Sequence, residues 1–257
     1  MRTVRALFCL VFCFLSIHSL YSAPQNVRYK VGLCITATGR YDQFISKLIE
    51  SARKHFCTSH DVTYFVFTDG TIPTGPDIVR IEQKRLGWPY DTMMRFQIYA
   101  SHRGALANMD YLFATDADML FVDKVGGTIL SPLTATQHPG FVNKRGSYET
   151  NARSLACVKK KEGKTYFAGG FWGGSRDEFL KACEEMNRRI HIDLKNNIIP
   201  VWHDESHLNR YLIDFPPTRV LSPAYCYPES VNIPYKKRLI ALDKNHNKLR
   251  KSLPIQE

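Results

Sequence analysis

Apolar positions along the first half of the chain follow two alternating rhythms. Val31, Leu33 and Ile35 stand inside an apolar stretch from Tyr29 to Thr36, the pattern of a β-strand. After a small-residue turn over Thr36–Arg40, Phe44, Leu48, Ala52 and Phe56 recur at helical spacing. Val62 to Thr68 repeats the strand pattern and stops at the turn signal Asp69-Gly70. Ile78 to Ile81 predicts a third short strand, and Asp91 to His102 a helix with Met94, Phe96 and Ile98 facing inward. Tyr111 to Thr115 is a fourth strand that runs directly into Asp116-Ala117-Asp118. Strands alternating with helices predict an α/β sheet with largely parallel strands. Ligands of such sheets bind beyond the carboxyl ends of the strands. The Thr36–Arg40 and Asp116–Asp118 turns both lie at such ends, so they are expected to face one crevice.

Beyond Asp123 the pattern loosens. Ser131 to Gly146 is rich in Pro, Gly and Thr, and Val158 to Lys164 reads as a basic, solvated turn. Phe179, Cys183, Met186 and Ile190 mark another amphipathic helix, and the tail from Tyr235 onward carries repeated Lys and Arg. No internal repeat, low-complexity segment or domain boundary is visible. The length of 257 residues suits one large domain or two intimate ones, with a real core. A formal charge of +11 favours an anionic partner such as phosphate, nucleotide, nucleic acid or anionic lipid, without choosing among them. No recognisable nucleic-acid-binding module occurs, so a nucleic-acid partner is not expected.

The first residues stand apart. Arg2 and Arg5 precede an apolar run from Ala6 to Leu15 that continues more weakly to Ala23. This is the layout of a secretory signal, and it is short for a full membrane span of about 20 residues. Residues 1–23 are therefore expected to be a signal peptide or, second, a signal-anchor, and the protein to be exported or membrane-associated. Past that leader remain Cys34, Cys57, Cys157, Cys183 and Cys226. An odd count without a C-x-x-C pair indicates neither a disulfide framework nor a zinc ribbon. Cys34 and Cys183 fall on apolar faces and read as core packing.

Two polar clusters carry candidate chemistry. Asp116 and Asp118, in extended backbone, would point to the same side with Cα atoms about 6.5 Å apart. Oxygen donors so placed suit a hard divalent cation that keeps positions open for water and phosphate, as Mn²⁺ or Mg²⁺ with a diphosphate would. The alternative is an Asx-rich turn with solvated carboxylates. The second cluster, Val201 to Asn209, packs an aromatic ring, two histidines, two acids and a serine into consecutive positions after Pro200. Such groups are costly to bury unless each finds a partner. His203 and His207 would share a helix face and invite zinc, but the zinc-protease pattern needs Glu where this chain has Asp204. Asp204 or a neighbour could cap the helix, with Glu205 in its favourable first turn. A carboxylate on a rigid helix terminus is also a well-placed nucleophile or charge stabiliser.

The run Val201-Trp202-His203-Asp204-Glu205-Ser206-His207-Leu208-Asn209, with Leu221-Ser222-Pro223 and Gly169-Gly170-Phe171-Trp172-Gly173-Gly174-Ser175, resembles the signature of the family-6 retaining glycosyltransferases. These include the blood-group A and B transferases and α1,3-galactosyltransferase. The resemblance implies an α/β GT-A nucleotide-diphospho-sugar transferase fold, a single Rossmann-like catalytic domain over residues 24–257. It also implies a UDP-sugar donor, Mn²⁺, and α1,3 transfer of galactose or N-acetylgalactosamine to a galactoside-containing glycan acceptor. By the same resemblance Asp116 and Asp118 match the metal motif. Many bacterial members replace those acids with Asn; this chain keeps both, so metal dependence is expected. Glu205 matches the catalytic carboxylate, a nucleophile or a stabiliser of an oxocarbenium-like transition state. Asp204 matches the acid that holds the donor sugar, with His203 beside it. Nucleotide contacts carry over to Ile35, Thr36, Ala37, Tyr41 and Arg95. Lys244 and Arg250 match two basic residues of a C-terminal tail that folds over the diphosphate, where cations stabilise the leaving UDP. His138, Trp202 and Tyr166 match acceptor contacts. Ala168 and Gly170 match the positions that govern room for the donor sugar's 2-substituent, and Gly170, the smallest option, resembles the N-acetylgalactosamine-accepting pattern.

Two features depart from the family. Tyr148-Glu149 is followed by Thr150-Asn151 where the family often carries two arginines, which bears on the local acceptor contacts. Only a few residues separate Ala23 from the first strand, which resembles compact bacterial members; membrane association would then run through the N-terminal segment. Two other classes make distinct expectations. A non-catalytic module on the same scaffold would bind UDP or glycan without turnover, and a zinc hydrolase would hold stoichiometric zinc.

Overall fold

A computed structural model describes residues 27–250; the expected leader and the side chain of Arg250 lie outside the described residues. Among these residues no helix is long and apolar enough to cross a membrane. The first strands form close to where the apolar pattern puts them: β1 (Lys30–Thr36), β2 (Asp61–Thr68) and β3 (Ile78–Glu82). A 3₁₀ turn over Gly39–Phe44 leads from β1 into α1 (Ile45–His55).

The helix expected over residues 91–102 is broken. α2 (Tyr90–Met93) and α3 (Arg95–Ser101) meet at Met94, whose φ of −88° and ψ of 7° leave the helical region, and α4 (Arg103–Leu106) follows. Beside the break the carbonyl of Thr92 accepts a hydrogen bond from Arg95 Nε at 3.3 Å, so a side chain takes over a backbone acceptor. Met94, Phe96 and Ile98 are buried, as the periodicity requires.

The remaining elements are β4 (Tyr111–Asp116), β5 (Met119–Phe121), β6 (Leu133–Gln137), β7 (Phe167–Ser175), α5 (Arg176–Lys195), α6 (His203–Asp214), β8 (Arg219–Leu221), β9 (Tyr227–Pro228), β10 (Leu239–Ala241) and α7 (His246–Arg250). Seven strands form the main sheet in the order β3-β2-β1-β4-β7-β6-β8. Only β7 runs against the others, pairing antiparallel with both β4 and β6. The expectation of a largely parallel sheet holds, but β6 forms inside the Pro-, Gly- and Thr-rich segment that carries no strand pattern.

Alternation along β1 builds the two faces. Val31, Leu33 and Ile35 pack with Ile45, Leu48 and Ala52 of α1. Cys34 points the other way, into a core shared by Phe96, Phe179, Leu208 and Tyr211 from α3, α5 and α6. The sheet is thus covered by helices on both faces. β7 fits between its neighbours because it is glycine-rich: a Cβ on Gly173 would stand 2.3 Å from the Leu112 carbonyl oxygen, and one on Gly174 2.1 Å from that of Pro132. A second, three-stranded sheet, β5-β10-β9, grows from the turn after β4. Its register, Ala241 opposite Met119, and the bond from Leu242 N to the Asp118 carbonyl (2.9 Å) lay the C-terminal tail across the ends of β1 and β4.

Candidate active site

Asp116 is the last residue of β4, and the chain turns at Ala117-Asp118 before β5. The two carboxylates therefore do not share one extended face, yet both line one cavity, together with Thr36, Tyr41, Arg95 and Lys244. Asp116 Oδ1 accepts from the Arg95 guanidinium at 2.7 Å, and Asp118 is ion-paired with the ammonium of Lys244. Burial works against the Asp116 charge, but the Arg95 and Lys244 cations outweigh it and hold that carboxyl below its ordinary value. The side chains of Ile35 and Ala37 are wholly buried among the residues beneath α1, so only their backbone can serve a ligand.

α6 begins at His203, and its N-cap, Trp202, makes no side-chain capping bond. The expected cap by Asp204 does not form, because its carboxylate has other partners. Oδ1 accepts from Thr92 Oγ1 at 3.2 Å, and Oδ2 pairs with Arg95 Nε at 3.1 Å. Ser206 Oγ instead accepts the backbone N–H of Trp202 at 3.0 Å. The two histidines part company. His203, in the left-handed region at φ 52°, meets the Trp88 ring edge-on at 4.8 Å. His207 is fully buried, with Nε2 3.5 Å from Asp193, and burial pushes its imidazole down to about 3. They do not share a metal position, and among the described residues no three His, Cys, Asp or Glu side chains are grouped to hold an ion.

Glu205 is held by β7. Tyr166 Oη donates to Oε1 and the Gly169 backbone N–H to Oε2, each at 2.8 Å. That N–H is available because the β6–β7 register slips: Ala135 faces Trp172 but Thr136 faces Ala168, so residues 169–171 bulge out of the ladder. Asn209 fastens the helix to the same strand. Its Oδ1 accepts from Phe167 N, and its Nδ2 donates to Phe167 O, both at 2.8 Å, and to Glu205 O at 2.9 Å. Burial pushes Glu205 up to about 7, against the pull of the Gly169 and Tyr166 donors. Asp204 is pushed by burial to about 6, with Arg95 pulling it back. It stays higher than Asp116 because Asp116 answers to two cations and adds its own negative charge beside Asp204.

The residues expected on the acceptor side gather around Tyr166. His138, just past β6, approaches that ring edge-on at 5.6 Å. Its Nδ1 accepts from Gly140 N at 3.0 Å and burial lowers its pKa to about 4, so the neutral ring carries its proton on Nε2. Trp202 is about half exposed, a flat apolar surface at the start of α6. Where the chain departs from the family, Glu149 accepts from the backbone N–H groups of Asn151 (2.7 Å) and Val201 (2.8 Å), which ties this loop to the signature. Thr92, Gly169, Asn209 and Glu149 are therefore parts of the site that motif reading missed. Asn209 stood within the signature itself, and Thr92 lies one helical turn before Arg95.

A nearly all-parallel sheet with an Asp-x-Asp pair at a strand end, cations above it and a second acidic pair on a facing helix defines an α/β GT-A fold of the nucleotide-diphospho-sugar transferases. The chain belongs to Glycosyltransferase family 6, whose sequence model matches residues 16–251. It is 37% identical to rat histo-blood group ABO system transferase 1 over 237 residues, 86% of this chain and 68% of that protein. It is 34% identical to mouse globoside alpha-1,3-N-acetylgalactosaminyltransferase 1 over 251 residues, 90% of this chain and 71% of the relative. The human protein of that name is 32% identical over 242 residues, 88% of this chain and 70% of its own length.

The Glu205 environment has a consequence for stability. With its carboxyl raised from 4.5 to about 7, the native state keeps a proton that the unfolded chain releases between those values. Stability from this group is therefore lost as pH rises through that window. Relative to E205Q, the wild-type protein should lose on the order of 2 kcal/mol of unfolding free energy between about pH 5 and pH 8, allowing for its contact with the open cavity. Urea melts of both proteins check this, and a difference that does not change with pH would show that the carboxyl is not desolvated.

Proposed function

We propose that this protein is a retaining, divalent-metal-dependent glycosyltransferase. It moves N-acetylgalactosamine, in preference to galactose, from a UDP-sugar in α1,3 linkage to a galactoside-containing glycan. The observation that carries this reading is that Arg95 pairs with both Asp116 and Asp204 and donates to the Gly169 carbonyl, while the Gly169 N–H and Tyr166 hold Glu205, which links the metal motif to the second acidic pair.

The donor set suits a hard cation: two carboxylates line one cavity, Asp116 with its side chain 32% exposed and Asp118 buried against Lys244. Asp116 and Asp118 would hold Mn²⁺, whose chemistry here is to neutralise charge on the departing diphosphate. Arg95 and Lys244 add fixed positive charge at the same end, with Arg250 as a further cation of the tail. Thr36 and Tyr41 line the nucleotide end. Asp204, oriented by Thr92 and Arg95, accepts hydrogen bonds from hydroxyls of the donor sugar, with His203 beside it. Glu205 acts as the carboxylate facing the anomeric carbon, where its charge stabilises the developing oxocarbenium character or its oxygen attacks. The missing side chain of Gly170 leaves space bounded by Asp116 Oδ2, Cys226 Sγ and Met119 Sδ, and Ala168 keeps the other strand position small. This favours a 2-acetamido group, as does the activity for which the globoside relatives are named. His138, through Nε2–H, and Trp202 receive the acceptor galactoside, and Tyr166, the third residue expected there, is buried beneath them and holds Glu205.

Transfer assays with UDP-GalNAc and UDP-Gal, with and without Mn²⁺, should show higher kcat/KM with UDP-GalNAc and loss of activity without metal. E205Q should lower transfer roughly a thousandfold while UDP binding stays near wild type. UDP binding with no turnover by the wild-type protein would instead mark a binding module.

Lys244 and a divalent cation compete for the Asp118 carboxylate. K244M should therefore bind Mn²⁺ more tightly than wild type in the absence of donor, yet bind UDP more weakly, whereas D118N should weaken Mn²⁺ binding. Titrations followed by the electron paramagnetic resonance of free Mn²⁺ measure this, and K244M with unchanged Mn²⁺ affinity would refute the competition.

A further inference from the structure

Between Lys144 and Lys164 the chain carries seven basic residues against two acids. Both acids already have partners inside the fold. Glu149 holds the backbone of Asn151 and Val201, and Glu162 pairs with Arg210 at 2.9 Å and accepts from Lys159 N. Arg145, although exposed, directs its donors to the carbonyls of Lys159, Lys160 and Glu162 and lies over the Tyr148 ring at 4.9 Å. Six further cations are exposed beside it: Lys144, Arg153, Lys159, Lys160, Lys161 and Lys164.

A solvated turn would let such charges drift apart, but this segment is bolted down. Ser154 Oγ donates to buried Asp193 at 2.5 Å, Leu155 N donates to the same carboxylate at 2.8 Å, and Glu149 ties the loop to Val201. With the bonds from Arg145 to the 159–162 backbone and from Val158 N to the Glu149 carbonyl, they hold the segment together and concentrate positive potential over it. The segments joined by these bonds also expose aliphatic side chains: Leu155, Ile199 and Val201 are each between 37% and 49% exposed. Apolar tips among lysines match a headgroup layer, where aliphatic groups enter the acyl boundary and cations meet anionic lipid. A soluble polyanionic glycan would use the lysines but leave Leu155 and Ile199 without a role.

We infer that this face, residues 144–164 together with 199–201, docks on an anionic lipid surface. Tyr148 lies edge-on to Tyr166 at 5.0 Å, and Tyr166 is bonded to Glu205, so the candidate reaction centre stands directly behind the docked face. Docking would present that centre to acceptors carried by the lipid. This last step rests on the proposed function; the lipid binding does not.

Sedimentation of the full chain with vesicles of phosphatidylcholine, alone or mixed with phosphatidylglycerol, tests the inference. An apolar N-terminal segment would add binding to both vesicle types, so the readout is the preference for the anionic ones. The wild-type protein should show that preference and lose it in high salt. K159E/K160E/K161E should lower partitioning onto anionic vesicles by on the order of a hundredfold, at about fivefold per lysine removed. L155S/I199S should lower it several-fold. Melting temperature and UDP binding of both variants should match wild type. Equal binding to both vesicle types, or an anionic preference that survives the triple charge reversal, would overturn the inference. So would binding of a soluble polyanionic glycan, lost in the triple variant, in a protein that ignores vesicles. If lipid preference holds but no sugar is transferred, the proposed function fails and the docking face stands.

Discussion

The guanidinium of Arg95 is the interaction on which the rest of the site depends. Its side chain is 10% exposed and lies between two carboxylates, 2.7 Å from Asp116 and 3.1 Å from Asp204. Burial opposes its charge, yet the two acids outweigh that opposition and raise its pKa above the ordinary arginine value. Removing either carboxylate would leave a buried cation short of a partner, a strongly destabilising change. One residue therefore joins the end of β4 to the first turn of α6, elements about ninety residues apart in sequence. The broken helix around Met94 follows from the same contact, because Thr92 and Arg95 both turn toward Asp204.

The parallel half of the sheet was legible from the chain because its strands are β-branched and aromatic and end in turn signals. The strands that complete the site were not. β7 reads Phe-Ala-Gly-Gly-Phe-Trp-Gly-Gly-Ser, and its glycines carry no periodicity; they answer to the carbonyls of Leu112 and Pro132 across the sheet. β6 reads Leu-Thr-Ala-Thr-Gln, too small and polar to announce a buried strand. The bulge that frees Gly169 N for Glu205 depends on register, which is a property of the pair.

The candidate residues divide in the same way. Asp116 and Asp118 were readable because a strand runs straight into them, although the turn between them was not. Glu205 and Asp204 were readable through a family signature, whereas composition left cap, metal and catalysis open. His207 looked like a ligand and is a buried, neutral neighbour of Asp193, a distinction that only its packing decides. Lys244 reaches Asp118 through the long-range pairing of β10 with β5, which nothing local in the tail reports. Identity to ABO-type and globoside transferases is spread over most of the chain, so the common scaffold is secure.

In the proposed reaction Glu205 would face the donor sugar from one side and so govern stereochemistry. The most direct measurement is the anomeric ¹H NMR signal of the product, recorded during transfer from UDP-GalNAc to a galactoside in the presence of Mn²⁺. The account predicts the small axial–equatorial coupling of an α-linked sugar from the first turnovers onward, with the configuration of the donor retained. A large diaxial coupling, showing a β-linked product, would contradict it.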